Sequence, residues 1–276
     1  MRIGIFDNFG ALNSPPVFGA IRKGLDRIGV KHASHDMTAD IGLIWSMLWA
    51  GRMKPNKEVW NHFMSQGKPV IVVEVGMFDR GVTWRLGIHT THGVSYYGDD
   101  YEPSRVKNLS LRLQDWRRNG SSILIVAQRS DSHQWHGMPS PEEWVHKTII
   151  ELKNHTDRPI VVRPHPRQRM ILPSDVSIVN PKLIRGTYDS FDFIESLNDV
   201  WAVVNWNSSP SCVSVIEGVT AFAGPNSLAS LVANGDYSKI EDPEYPDRTQ
   251  WLNHLSHTEW TIDEIATGYP LTRLLR

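Results

Sequence analysis

Four short segments place cations, hydroxyls or amides directly after a run of β-branched residues. The first is RPIVVRPHPRQR, Arg158 to Arg169. Its core, Pro159 to Val162, reads as an interior strand. Arg163-Pro164-His165-Pro166-Arg167 ends that strand, because proline cannot donate to a sheet ladder. The prolines stiffen the loop and hold Arg163 and His165 at the strand's carboxyl end, where open α/β sheets bind ligands. The second segment, VVNWNSSPSCVSVIEG, runs from a strand into a small polar turn, Asn207-Ser208-Ser209, and a helix opened by Pro210. Backbone N–H groups at a helix start, flanked by serine hydroxyls, suit phosphate oxygens. Glu217, two turns on, could accept from ribose hydroxyls; the plain alternative is an N-capped helix with a solvated glutamate. Ser227 in GPNSLASL and Gln128-Arg129 in IVAQRSDSHQWHG each follow a further strand. Gathered on one sheet edge, these residues would form a site for a nucleotide diphosphate.

Proton-transfer chemistry points to the first half of the chain. In VVEVGMFDRG, Glu74 and Asp79 follow an apolar strand, so either carboxylate could act as a general base toward an acceptor hydroxyl. Glu74 is the first choice and Asp79 the alternative. His89 and His92 could touch the acceptor or take the same role. Three HxxH spacings occur, at His32/His35, His89/His92 and His133/His136. None has a carboxylate at a recognised spacing and the chain has no D-x-D, so no metal is expected. Arg80, Trp84, Tyr96, Tyr97, Arg112 and Arg117 are candidates for acceptor binding. The last two fall on a predicted polar helix, SRVKNLSLRLQDWRRNG, and the aromatics upstream could stack on an extruded base. A solvated helix face is the bland reading.

These residues need elements to hold them. Strands are predicted at residues 2–6, 41–46, 69–75, 122–127, 159–162, 176–179, 200–205 and 220–223. Between the first two, Val17, Ile21, Gly24 and Ile28 share one helical face. SPEEWVHKTIIELKNHT is the clearest helix, with Ser140 as N-cap, Pro141 in the first turn and Glu143 completing a capping box. Strands alternating with helices imply a parallel sheet covered on both faces. The alternation pauses between about Gly76 and Gly120, which divides the chain into residues 1–119, an acceptor-side Rossmann-like domain, and 120–256, a nucleotide-sugar-binding one. Residues 257–276 are expected to form a helix packing back on the first domain. The chain has 276 residues and a formal net charge of -1, so no basic field advertises nucleic acid. A single cysteine, Cys212, and the lack of a signal-peptide pattern or a bilayer-length apolar run suggest the cytoplasm and no membrane.

The series strand–RPHP, strand–NSS–helix–EG, strand–GP resembles the nucleotide-binding half of GT-B glycosyltransferases. It is most similar to the group of capsule-polysaccharide Kdo, sialic acid and glycerophosphotransferases. That resemblance implies an α/β GT-B fold, with two Rossmann-like αβ domains facing a central cleft, and a metal-independent reaction. It assigns the donor nucleotide to Arg163, His165, Ser208, Ser209 and Glu217. In the first half, VVEVGMFDRG is similar to the EDGF-R stretch of capsule Kdo transferases at Glu74, Gly76, Phe78 and Arg80, with Val75 where that family has an acid. The layout around LGIHTTHGVSYYGD and TDRPIVVRPHPR also resembles phage-encoded transferases that glycosylate hydroxymethylated pyrimidines in DNA, which would place the protein in a host cytoplasm. The implied activity is glycosyl transfer from a nucleotide sugar, UDP-linked, with no separate cofactor. The leading acceptor is a hydroxymethylpyrimidine in phage duplex DNA. The alternative is a capsule or envelope saccharide, and a further alternative is a non-catalytic nucleotide-sugar-binding protein.

Overall fold

The computed structural model describes residues 1–89, 95–99, 102–174 and 176–276. Its strands are β1 Arg2–Phe6, β2 Lys31–Ser34, β3 Ile41–Trp45, β4 Val70–Val75, β5 Thr83–His89, β6 Ser95–Tyr96, β7 Ser122–Val126, β8 Ile160–Arg163, β9 Ser177–Ile178, β10 Val200–Asn205, β11 Thr220–Ala223 and β12 Glu259–Thr261. The helices are α1 Ser14–Arg27, α2 Asn56–Ser65, α3 Ser104–Asn108, α4 Pro141–Leu152, α5 Pro210–Ile216, α6 Thr249–Ser256, α7 Ile262–Ala266 and α8 Tyr269–Leu274. They fall into two compact units. Unit 1 is Met1–Arg105, Asp131–His133 and Asn253–Arg276; unit 2 is Val106–Ser130 and Gln134–Leu252.

Unit 1 has the sheet order β12-β5-β4-β3-β1-β2, with β6 paired to β5. Strands β1 to β4 are mutually parallel, β5 runs antiparallel to β4, and β12 runs antiparallel to β5. Ile3, Ile5, Leu43, Ile71 and Val73 pack on one face with Val17, Ile21 and Leu25 of α1. Phe6, Ile44, Val70 and Val72 pack on the other with Val59, Trp60 and Phe63 of α2. Burial on both faces is why these strands read as unbroken apolar runs. Strand β5 occupies part of the predicted pause: Trp84, Leu86 and Ile88 alternate into the core, and every residue of the strand but Arg85 is buried.

The predicted helix over residues 104–120 stops at Asn108. Beyond it the backbone finds partners elsewhere: Gln114 N donates to Ile216 O and Arg117 N to Gly218 O. Those carbonyls at the carboxyl end of α5 outcompete a local helix. The tail also differs from the predicted single helix, since β12 joins the sheet before α7 begins. Thr261 caps α7 in a reciprocal box with Glu264.

Unit 2 is a wholly parallel sheet in the order β11-β10-β7-β8-β9. Helix α4 covers one face through Trp144, Val145, Ile149 and Leu152. Its N-cap forms, with Ser140 Oγ accepting from Glu143 N at 3.1 Å. The Glu143 carboxylate does not close the box; it pairs with Lys147 at 2.8 Å. Among the described residues no helix is long and apolar enough to cross a membrane.

Candidate functional site

In unit 2 the chain leaves β7 toward β8 and β9, then returns on the other side of β7 to build β10 and β11. The crevice between the carboxyl ends of β7 and β10 is therefore a topological switch point, the usual ligand position in such sheets. Gln128 and Asn207 form its floor. Asn207 N donates to Gln128 Oε1 at 3.2 Å, and Gln128 Nε2 donates back to Asn207 Oδ1. Asn205, fully buried, sets the turn that follows: its amide donates to Val126 O at 2.9 Å and to Ser208 Oγ at 2.7 Å, and Oδ1 accepts from Ser208 N at 2.9 Å. Ser209 is half-buried and makes no side-chain cap on α5. With seven residues, α5 is short, so the side chains carry more of the argument than its dipole. Ser227 is buried and tied to Ser211 Oγ at 3.1 Å. At the ends of β7 and β8, Arg129 and His165 are half-buried, and Arg167 N donates to His165 Nδ1 at 3.1 Å, which fixes the ring.

Two donor-site residues are placed differently from expectation. Arg163 does not project from the edge. It is 3 % exposed, and its Nη2 lies 2.7 Å from Asp192 Oδ1. The same carboxylate oxygen accepts from Lys182 N at 2.8 Å. Burial works against the charged form of Asp192, but those two donors outweigh it and lower its pKa. Arg163 Nη1 is buried without a partner. The guanidinium is turned inward because its counter-charge lies beneath the edge. Asp192 carries no local motif in the sequence and was not legible as its partner. Glu217 is the other case. It is the C-cap of α5, which runs away from the serine turn toward the start of β11. Eight residues of helical rise put it about 12 Å from Ser209, so the structure does not bring it to the edge.

In unit 1, Glu74 is the penultimate residue of β4 and is half-buried. Its Oε1 accepts from Ser46 Oγ at 3.2 Å and from Met47 N at 3.1 Å. Ser46 adopts φ of 62°, the left-handed turn that aims both donors at the carboxylate. Asp79 and Arg80 are exposed on the β4–β5 loop. His89 sits four residues along the β4–β5 ladder from Glu74: Glu74 opposes Arg85, whereas His89 opposes Val70. It is 8 % exposed, edge-on to Trp60 at 5.6 Å, with Nδ1 3.0 Å from Ser95 Oγ. Burial, with the charge of His133 adding to it, pushes its pKa down to about 4. His89 is thus a neutral core imidazole, apart from Glu74. His92 lies outside the described residues.

The acceptor candidates are divided between the two units. Trp84 is 3 % exposed in the core with Trp260, so its ring has no face to offer. Tyr96 Oη donates to Asp99 at 2.8 Å. Tyr97 packs over Gly87, where a Cβ would come within 2.7 Å of its ring. Arg112 and Arg117 belong to unit 2, off any helix, and Arg117 Nη1 donates to Leu197 O at 3.3 Å. Among the described residues no group of three or more His, Cys, Asp or Glu side chains could hold a metal.

No protein-family model matches the chain, and no curated protein does. Two of the solved structures that are similar come from one protein. One is the β-Kdo 2,4 transferase of Thermosulfurimonas dismutans KpsC, 10 % identical, with a TM-score of 0.52 over 94 % of this chain and 90 % of that one. The other is the β-Kdo 2,7 transferase of the same KpsC, 11 % identical, with a TM-score of 0.50 over 99 % and 100 % of the two chains. The likeness is one of fold: a mixed α/β architecture with parallel sheets runs through almost the whole of each chain.

Proposed function

We propose that the protein is a nucleotide-sugar-dependent glycosyltransferase of the GT-B kind whose acceptor is a saccharide. The observation that carries this reading is the unit 2 switch point, where Asn207, Ser208, Ser209, Arg129 and His165 line adjoining strand ends. Amide and hydroxyl donors beside an arginine and a histidine suit the oxygens of a nucleotide diphosphate, and a departing phosphate needs the same groups. Asn205 and the Gln128–Asn207 pair hold that edge ready, while Arg163 supports it from beneath through Asp192. On the acceptor side, the Ser46 and Met47 donors fix Glu74 Oε1, which leaves Oε2 to take the hydroxyl proton as the bond to the sugar forms. Both similar structures are Kdo transferases, which favours a saccharide over hydroxymethylated DNA. The burial of Trp84 and the absence of a helix at Arg112 and Arg117 weaken the DNA reading further.

The test is a panel of nucleotide sugars, UDP- and CMP-linked, offered with saccharide acceptors and separately with hydroxymethylated DNA, without added metal and read by mass spectrometry. Transfer to saccharide is expected. Transfer only to DNA would restore the other acceptor, and no transfer or donor hydrolysis at all would refute the activity. Glu74→Gln should lower kcat by roughly 10²–10⁴-fold with donor binding intact; a near-normal kcat would place the base elsewhere.

A further inference from the structure

We infer that Glu259, in the chain's last segment, is a positioning residue for the loop that follows Glu74; its kinetic consequence rests on the transferase reading above. Glu259 is the first residue of β12, which pairs with β5 so that Glu259 opposes Arg85. Its side chain is 0 % exposed. Four groups aim at that one carboxylate. Oε1 is 2.8 Å from both Met77 N and Arg85 Nη2. Oε2 lies 2.9 Å from Met77 N, 3.2 Å from Phe78 N and 3.1 Å from Thr83 Oγ1. Successive backbone N–H groups converging on an anion form a nest, a shape usually filled by a ligand. Here the protein fills it with its own side chain.

The Met77 and Phe78 amides donate to Glu259, and the loop's other ties do not engage them. Met77 and Phe78 are half-buried, and Asp79 and Arg80 are exposed. Its other ties close the loop on itself: Gly76 N donates to Thr83 O at 2.9 Å, Val82 N and Thr83 N donate to Asp79 O at 3.0 and 2.9 Å, and Thr83 Oγ1 meets Asp79 N and O at 3.4 and 3.2 Å. Gly76 shows how closely the carboxylate and the loop are fitted. A Cβ at that position would lie 2.4 Å from Glu259 Oε2 and 2.3 Å from Thr83 Oγ1. A Cβ there would also lie 2.6 Å from Thr83 O, so any side chain would push apart the carboxylate and Thr83, which gives a physical reason for the glycine in VVEVGMFDRG.

The same contact reaches Glu74 by a second route. Arg85 stands opposite Glu74 on the β4–β5 ladder. Burial alone would lower the Arg85 pKa, but the Glu259 charge and hydrogen bond, with Tyr97 and Glu74 adding to them, leave it raised. Glu259 thus supplies the buried Arg85 guanidinium with its counter-charge and turns it toward itself, and it fixes the direction in which the chain leaves β4. Both effects hold the Glu74 carboxylate where Ser46 and Met47 meet it.

The experiment compares the wild type with Glu259→Gln, Gly76→Ala and the double variant Glu259→Gln/Arg85→Gln. The readouts are melting temperature, amide hydrogen exchange at Met77 and Phe78, kcat, and donor KM. Glu259→Gln should speed exchange at the two amides at least tenfold and lower kcat at least tenfold, with donor KM within twofold. Gly76→Ala should lower kcat likewise, although Glu259 is present. The double variant leaves no lone guanidinium buried, so its melting temperature should rise above that of Glu259→Gln while kcat and amide protection stay low. If Glu259→Gln does not fold, the double variant alone decides. Recovery of kcat along with stability in the double variant, or unchanged protection at Met77 and Phe78, would overturn the inference. A wild type that transfers no sugar, with exchange at these amides still accelerated in the variants, would sink the transferase reading and leave the loop clamp standing.

Discussion

Acidification should weaken the fold through His89, and the size of the effect follows from where that ring sits. In the folded chain it takes a proton only near pH 4, whereas its ordinary value is 6.5. Between those two values the unfolded chain binds a proton that the folded chain refuses. Stability therefore falls as the pH drops through that window, and above it His89 adds no pH dependence. A shift of about 2.5 units at 1.36 kcal/mol per unit amounts to roughly 3 kcal/mol, against a total of about 5–15 kcal/mol for a typical domain. Other groups titrate in the same direction, among them Asp192 and Glu264, whose pKa values are lowered, and His254 and His257, lowered by burial. A difference measurement removes them. Urea unfolding of the wild type and His89→Gln at pH 7, 5.5 and 4 gives a stability gap at each pH. Glutamine keeps a polar group near Ser95 and cannot titrate. The gap in favour of histidine should shrink by roughly 3 kcal/mol between pH 7 and pH 4. A gap that stays constant would mean that His89 titrates like a solvated histidine, and its assignment to the core would fail.

Three further outcomes are expected. Asp192→Asn should cost about 3–5 kcal/mol, because it leaves the Arg163 guanidinium buried without a counter-charge; Arg163→Met/Asp192→Leu should recover most of that loss, and additive losses in urea unfolding would refute the pairing. His165→Ala should weaken nucleotide binding about tenfold, the worth of one charge-assisted bond, while Glu217→Ala should leave calorimetric affinity unchanged; the reverse pattern would return the donor to the far end of α5. Asn205→Ala removes the bonds to Val126 O, Ser208 Oγ and Ser208 N and should destabilise the fold by roughly 1–3 kcal/mol and weaken donor binding; a change in neither would show that the turn holds itself.

The parallel strands were legible because burial on both faces leaves a continuous apolar signature, as in RIGIF, IGLIW, VIVVEV, SILIV and VWAVVN. Strands whose pairing is decided elsewhere left weaker marks. KHAS is an edge strand with no buried residue, and EWT has three residues whose partner lies far back in the chain. TWRLGIH carried the correct alternation, but it sits between glycines and histidines that read as loop. The composition of residues 104–120 favoured a helix, yet tertiary hydrogen bonds to Ile216 and Gly218 settled the matter. Short-range pattern reports burial well and long-range pairing poorly.

The same division governs the candidate site. A strand end fixes where a residue is, so the switch-point residues could be read off together. Which way a long charged side chain turns depends on a counter-charge that local sequence does not reveal. Arg163 is paired with Asp192, 29 residues away, Arg85 with Glu259 at a separation of 174, and Arg105 with Glu264 at 159. Each of these arginines is largely buried. A desolvated guanidinium held by its own carboxylate is poorly placed to turn toward a ligand, because the move would break the pair, and for Arg163 and Arg85 it would also strand a buried acid. Arginines of this kind are committed to the fold. On the proposed transferase reading, a donor's charge would be met by groups at the same edges that keep a solvent-facing side, which puts the weight on His165, Arg129 and the Asn207-Ser208-Ser209 turn.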